Sequence, residues 1–176
     1  LWGRETYTFP GSSWTRALPS DPHKLRGTNK EIESELQGIH KLLLEYQQMP
    51  QEKTIYLLRA KASIIHDFYT AIERIMMKIA EELNGGLPKS DQWHKDLLFD
   101  MSLDLEGIRP PLFPKEFYES LYSYLRFRHL FRNNYGYELK PDLLKPLEDA
   151  FPDTVKKSMA HIQTFCRWLR SQAEEG

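Results

Sequence analysis

The strongest constraint on the fold is an apolar stripe that runs through residues 51–83 at helical spacing. Apolar side chains recur there every three or four positions, at Ile65, Phe68, Ile72, Ile75, Met76, Ile79 and Leu83. This period matches the turn of an α-helix, and no comparable run alternates apolar and polar residues as a half-buried strand would. The spacing predicts one long helix over about 51–83, which the turn at 84–86 ends with glycines suited to a left-handed cap.

The same patterning predicts helices along most of the chain. Their expected ranges are about 29–50, 51–83, 91–101, 114–135, 141–149 and 152–172. Residues 1–27 hold Trp2 and Trp14 among several prolines and glycines and keep no period. We therefore predict an all-α bundle of four to six helices over 28–172, preceded by an irregular N-terminal arm at 1–27.

Composition narrows the classes of function. A chain of 176 residues with 40% hydrophobic residues can form one globular core, and its net charge of -1 excludes a globally basic coat for nucleic acids. The single cysteine, Cys166, excludes an internal disulfide framework and a CxxC metal site, so we expect no metal and no cofactor. No run approaches 18 apolar residues, and the expected location is the cytoplasm.

Positive charge gathers in the C-terminal part of the sequence. Residues 126–170 contain nine Lys and Arg against five Asp and Glu, whereas the remainder contains 15 against 20. This asymmetry predicts a positive potential on the C-terminal helices, where a phosphate backbone can dock.

One face of the predicted helix 114–135 is apolar at its start and cationic towards its end. That face begins with apolar side chains at Phe117, Leu121, Tyr124 and Leu125. Arg128 continues the same face, and Arg132 follows one turn later. An arginine on an apolar face needs a carboxylate, exposed carbonyls, a phosphate or a subunit boundary. A purely structural explanation is also open, because cations near a helix C-terminus complement the helix dipole.

A family resemblance rests on these residues. The segment FRHLFRNNYGYEL at 127–139 resembles the HEPN superfamily, whose signature is an arginine followed after four to six residues by a histidine. It looks most like the HepT-like ribonuclease toxins, which read Arg-x4-His-x-Tyr at the end of a helix. Arg128, Asn133 and Tyr135 stand at these three positions. The segments at 57–75 and 85–98 and the Arg-Pro-Pro at 109–111 look similar to the same family.

The resemblance implies a homodimer that cleaves RNA without a metal in a cleft shared by two chains. Arg128 would hold the scissile phosphate, and we expect Arg126 and Arg132 to bind RNA as well. The family's histidine acts as a general base or acid. The implied partner is a nucleotidyltransferase antitoxin, which would neutralise the toxin by adding AMP to Tyr135.

Asn133 departs from the family pattern, because an amide has no proton to exchange near neutral pH. Three explanations are open: a change that disarms the enzyme, a natural member with weak or no activity, or replacement by the neighbouring His129. An adjacent residue points about 100° away around the helix, so His129 would need a distortion to serve.

Two other classes of function compete with the nuclease. The first is a non-catalytic helical dimer that binds a nucleotidyltransferase and accepts its AMP, and the second is a structural bundle without a nucleic-acid role. His66 is interpreted as a half-buried helix histidine, with a bond to a carboxylate or a place in the dimer cleft as open alternatives. His94 beside Trp93 is interpreted as a packing residue, and Cys166 as a buried, unreactive thiol.

Overall fold

The structure is a computed structural model that describes residues 21–133 and 139–175. Its α-helices are α1 (Pro22–Gln48), α2 (Ile55–Ile79), α3 (Trp93–Asp100), α4 (Tyr118–Asn133) and α5 (Pro141–Glu175). A π-helical turn, Ala80–Asn84, extends α2, and a 3-10 turn, Lys115–Phe117, precedes α4. Within the described ranges the only extended pairing is one isolated bridge, so the predicted all-α bundle is confirmed.

The core lies between α1, α2, α4 and α5. The helix α1 packs against both α5 and α2, and α4 packs on the other side of α2. The stripe predicted for the second helix is buried, from Ile65 to Leu83. Because α2 is covered by helices on several sides, its side chains set the positions of all its neighbours. No helix within the described ranges is long and apolar enough to cross a membrane.

The first helix starts earlier than the sequence pattern predicted. It begins at Pro22 and not near Asn29, because the Asp21 side chain accepts a hydrogen bond from the His23 amide and Pro22 occupies the first turn. Thr28 and Asn29, where the predicted helix was to start, are buried inside the helix. Residues 22–27 are therefore helical, which corrects that part of the predicted irregular arm, whereas residues 1–20 lie outside the described ranges.

A buried arginine holds the connection between α3 and α4 to the end of α2. The Arg109 guanidinium donates to the Asn84 side chain at 2.8 Å and to the backbone carbonyls of Asp100, Leu103 and Pro110 at 2.9, 3.3 and 3.1 Å. Burial lowers the pKa of Arg109 to about 10, so the side chain remains charged at neutral pH. These four bonds explain how a long, proline-rich segment is held in one conformation.

The last two predicted helices are one continuous helix. The prediction ended one helix at 149 and began another at 152, but α5 runs through Pro146 and Pro152 without a break. A proline at 152 has no amide hydrogen for the carbonyl of Glu148. The Tyr46 hydroxyl of α1 donates to that carbonyl at 3.2 Å, and Tyr46 also packs on the fully buried Phe151. Contacts with α1 therefore compensate for the proline.

The Tyr46 hydroxyl gives a test of this compensation. We expect Tyr46→Phe to lower the free energy of unfolding by about 1 kcal/mol or somewhat more, because the Glu148 carbonyl loses its donor. Burial, with help from the Glu148 carboxylate, already raises the pKa of Tyr46 to about 12, so the hydroxyl keeps its hydrogen. Urea unfolding measures the loss, with Tyr56→Phe as control since Tyr56 is 79% exposed. Equal stability of the two variants would contradict the compensation.

Candidate functional site

The end of α4 presents two different faces. Its inward face buries Leu121, Tyr124, Leu125 and finally Arg128. Its outward face exposes Arg126, His129, Leu130 and Asn133, and we call these four residues the exposed α4 face. Positions 126, 129, 130 and 133 fall on one side of a helix because they are separated by three or four residues. The predicted site residues are thus divided between two surfaces of the same helix.

Arg128 contacts a carboxylate on α2. One terminal nitrogen, Nη2, lies 2.9 Å from Oε1 of Glu73, and Nε donates to the Thr70 hydroxyl at 3.4 Å. The two charged side chains are only 10% and 5% exposed. Arg128, the cation at the end of the apolar face of α4, therefore contacts a buried carboxylate. A carboxylate is one of the partners that the sequence pattern required for this arginine.

The second oxygen of Glu73 binds a histidine from α3. Oε2 of Glu73 lies 2.6 Å from Nδ1 of His94, whose ring stacks on Trp93 with centroids 3.6 Å apart. Because an ionised carboxylate only accepts hydrogen bonds, Nδ1 carries the hydrogen and Nε2 is the ring atom left for another partner. The His94 side chain is 33% exposed. We call Thr70, Glu73, His94 and Arg128 the Glu73 cluster.

Two further polar groups on α2 lie beside this cluster. The Tyr69 side chain is fully buried, its hydroxyl has no partner among the described residues, and burial raises its pKa well above the usual range. His66 approaches Asp67 through Nδ1 at 3.0 Å and packs its ring 5.0 Å from that of Phe131. Its Nε2 is buried and, within the described ranges, unpaired. A polar stripe thus runs along the side of α2 that faces α4.

Asn133 and His129 form a pair on the exposed α4 face. Nδ2 of Asn133 lies 3.0 Å from Nε2 of His129, and both side chains are exposed. Asn133 follows Arg128 by five residues, which places the two side chains about 140° apart around the helix. One chain therefore does not bring Asn133 or His129 to the Arg128 guanidinium.

The two arginines predicted to bind RNA are exposed. Neither Arg126 nor Arg132 makes an ion pair within the part of the chain that the structure describes. Arg126 borders a groove between α4 and α5 whose apolar lining includes Leu130 and Leu143, both strongly exposed. Cationic and apolar groups thus adjoin on this surface.

The remaining predictions concern Tyr135, Cys166 and metal binding. Tyr135 lies outside the described residues. Cys166 is buried on α5, and burial raises the pKa of its thiol to about 11, in agreement with the predicted unreactive thiol. Within the described ranges no group of His, Cys, Asp and Glu side chains is arranged to hold a metal ion.

Glu73 was not predicted as a site residue, and the role predicted for His94 was incomplete. His94 stacks on Trp93 as predicted, and it also binds the same carboxylate as Arg128. A local signal existed, because His66, Thr70 and Glu73 are spaced to share one face of α2. The pattern did not show which carboxylate would meet Arg128, since the two residues belong to different helices.

Removing the Glu73 charge tests how strongly the cluster joins its helices. We expect Glu73→Gln to lower the free energy of unfolding by about 3 kcal/mol or more, because Arg128 would remain buried without a countercharge. Glu35→Gln is the matched control, since Glu35 pairs with the well-exposed Arg74 and should cost about 1 kcal/mol or less. Urea denaturation monitored by circular dichroism compares them. Losses of the same size would show that the cluster has no special role in stability.

No curated protein and no solved structure matches the chain. A family model described as HepT-like protein matches residues 60–169, which is more than half of the chain and includes Glu73, His94 and Arg128. The chain therefore belongs to the HepT-like family.

Proposed function

We propose that this protein is a HEPN-type toxin that cleaves RNA without a metal, in a cleft formed between two copies of the chain. The observation that carries the proposal is the position of Arg128. The family resemblance places it at the motif arginine position, and in the structure it is held by the Glu73 cluster near the end of α4. A guanidinium fixed in this way can bind a phosphate with its remaining donors.

The division of α4 into two faces supports a dimeric cleft. Arg128 faces α2, whereas Asn133 and His129 point away from it. In a dimer that packs through the end of α4, the exposed α4 face of each chain would lie near the partner chain. Leu130 and Leu143 give this contact apolar area, and their strong exposure is otherwise unfavourable in an isolated chain.

The proposed chemistry is an internal attack by the ribose 2′-hydroxyl on the adjacent phosphorus. This reaction needs a group that takes the hydroxyl proton and a cation that stabilises the charge added to the phosphate. In the proposal Arg128 supplies that cation. Arg126 and Arg132 bind the flanking phosphates, since both are exposed and lack ion pairs within the described part of the chain.

The partner proposed to control the toxin is a nucleotidyltransferase antitoxin. It transfers AMP from ATP to the Tyr135 hydroxyl and releases pyrophosphate. The attached AMP is a bulky anion within the motif. The family resemblance supports this step. An added phosphate two residues after Asn133 would repel RNA from the same helix end.

Cleavage of labelled tRNA in the presence of EDTA tests the nuclease. We expect Asn133→His to cleave faster than the unmodified chain, because it restores the family's acid–base group. Arg128→Ala in the Asn133→His background should lower the rate by 100-fold or more, in the range of about 10²–10³ for loss of one such donor. If the unmodified chain and Asn133→His neither cleave nor bind RNA, the nuclease proposal is wrong.

A matched set of arginine variants controls for general effects of charge. Arg126→Ala and Arg132→Ala should weaken RNA binding and each reduce the salt dependence by about one counterion. Arg74→Ala removes an equal charge from the part of α2 that faces α1, where Arg74 pairs with Glu35, and should leave binding unchanged.

Asn133 also favours a second candidate function, a non-catalytic dimer that serves as the AMP acceptor of a nucleotidyltransferase. In this case the chain takes up one AMP when it is incubated with ATP and the proposed nucleotidyltransferase antitoxin, and it does not cleave RNA. Intact-mass spectrometry measures the addition, and Tyr135→Phe should prevent it while Tyr56→Phe should not. An AMP adduct that persists in Tyr135→Phe would exclude Tyr135 as the acceptor.

A further inference from the structure

The proposed nuclease lacks an assigned group for proton transfer. Asn133 holds the position of the family's histidine and cannot accept a proton near neutral pH. His129 does not replace it within one chain, because its ring pairs with Asn133 on the exposed α4 face and lies away from Arg128. A histidine that serves this reaction has to lie near the Arg128 guanidinium and present a free ring nitrogen.

We propose that His94 is the general base of this chain. The inference rests on the proposed function. His94 and Arg128 bind the two oxygens of one carboxylate, so Glu73 fixes the distance between the imidazole and the guanidinium. The base therefore comes from α3 and not from the motif at the end of α4.

The surroundings of His94 prepare it for this role. Glu73 accepts the Nδ1 hydrogen at 2.6 Å, which leaves the lone pair of Nε2 available. The stacked Trp93 ring restricts rotation of the imidazole. One third of the side chain is exposed, so a substrate can reach it, whereas the carboxylate behind it is buried. A buried carboxylate also stabilises the imidazolium that forms when Nε2 takes a proton.

Arg128 keeps binding capacity for a phosphate in the same arrangement. Its Nε and Nη2 contact Thr70 and Glu73, and Nη1 has no partner among the described residues. A phosphate bound at Nη1 would contact the same guanidinium that Glu73 holds beside His94. The cluster thus offers a cation and a base that are positioned by one group.

The step balances without a further reactant. Nε2 of His94 takes the proton of the ribose 2′-hydroxyl as that oxygen forms a bond to phosphorus. The bond from phosphorus to the 5′-oxygen breaks, and that oxygen takes a proton from water. The products are a 2′,3′-cyclic phosphate and a 5′-hydroxyl end, and His94 returns its proton to solvent.

Other histidines fit the role less well. His66 is 20% exposed, its Nε2 is buried, and its Nδ1 meets Asp67 and not Glu73. His161 packs between Phe113 and Phe117, away from the Glu73 cluster. His40 is exposed on α1 and makes no contact with the cluster, which suits it as a control.

Chemical rescue tests His94 directly. The unmodified chain should cleave labelled tRNA in EDTA to 2′,3′-cyclic phosphate ends, and His94→Ala should be slower by about 10²-fold or more. Free imidazole should restore a large part of that rate, because the space between Trp93 and Glu73 is then open to it. His40→Ala should cleave like the unmodified chain, with no response to imidazole. Circular dichroism and size-exclusion chromatography establish that each variant is folded, and His94→Gln, which keeps a donor for Glu73, is the second variant.

The outcomes separate this inference from the proposed function. Rescue of His94→Ala by imidazole supports the assignment, since a merely structural histidine would not respond. Cleavage by His94→Gln at the unmodified rate overturns it and leaves the nuclease in place. Cleavage by Asn133→His alone, with none by the unmodified chain, also overturns it, because His94 would then be insufficient. If neither chain cleaves or binds RNA, the proposed function itself fails.

Discussion

The pairing of the Glu73 carboxylate is the interaction on which the packing of α2, α3 and α4 depends. The carboxylate lies on the central helix α2, binds Arg128 of α4 with one oxygen and His94 of α3 with the other, and is almost fully buried. A buried carboxylate is unfavourable unless it is paired, so the two partners and the three helices are stable only together. The positions of the end of α4 and the start of α3 therefore follow from one charge on α2.

Two other joints in the bundle are likewise held by a polar side chain that bonds to a different element. Arg109 places four hydrogen bonds between the end of α2 and the segment before α4. The Tyr46 hydroxyl donates to the carbonyl of Glu148, which Pro152 leaves free. In each case a side chain from one element satisfies the backbone or charge of another, and this rigidifies the joint between them.

These non-local partners mark the limit of what the sequence predicts. The stripe from Ile65 to Leu83 predicted α2 correctly because the period of a helix is a local property. Pro152 was interpreted as a boundary because the compensating tyrosine lies on α1, far away in the sequence. The need of Arg128 for a partner was visible in its apolar face, but Glu73 and His94 were not, since their meeting depends on how three helices pack. The start of α1 was a different error, because the Asp21-Pro22 signal is local and was overlooked.

The Glu73 cluster also has a consequence for how RNA would be bound. Glu73 cancels most of the charge of Arg128, so this arginine attracts a distant phosphate only weakly. Long-range attraction then has to come from exposed cations such as Arg126 and Arg132, and it is screened by salt. Arg128 instead acts at short range, where its geometry counts more than its net charge. In the proposed reaction the transfer of a proton to His94 makes the cluster positive at the moment when negative charge builds up on the phosphate. An arginine paired with a carboxylate is therefore compatible with catalysis. Glu73 neutralises the charge of Arg128 before the reaction, and the proton that His94 takes up gives the cluster a net positive charge during the step.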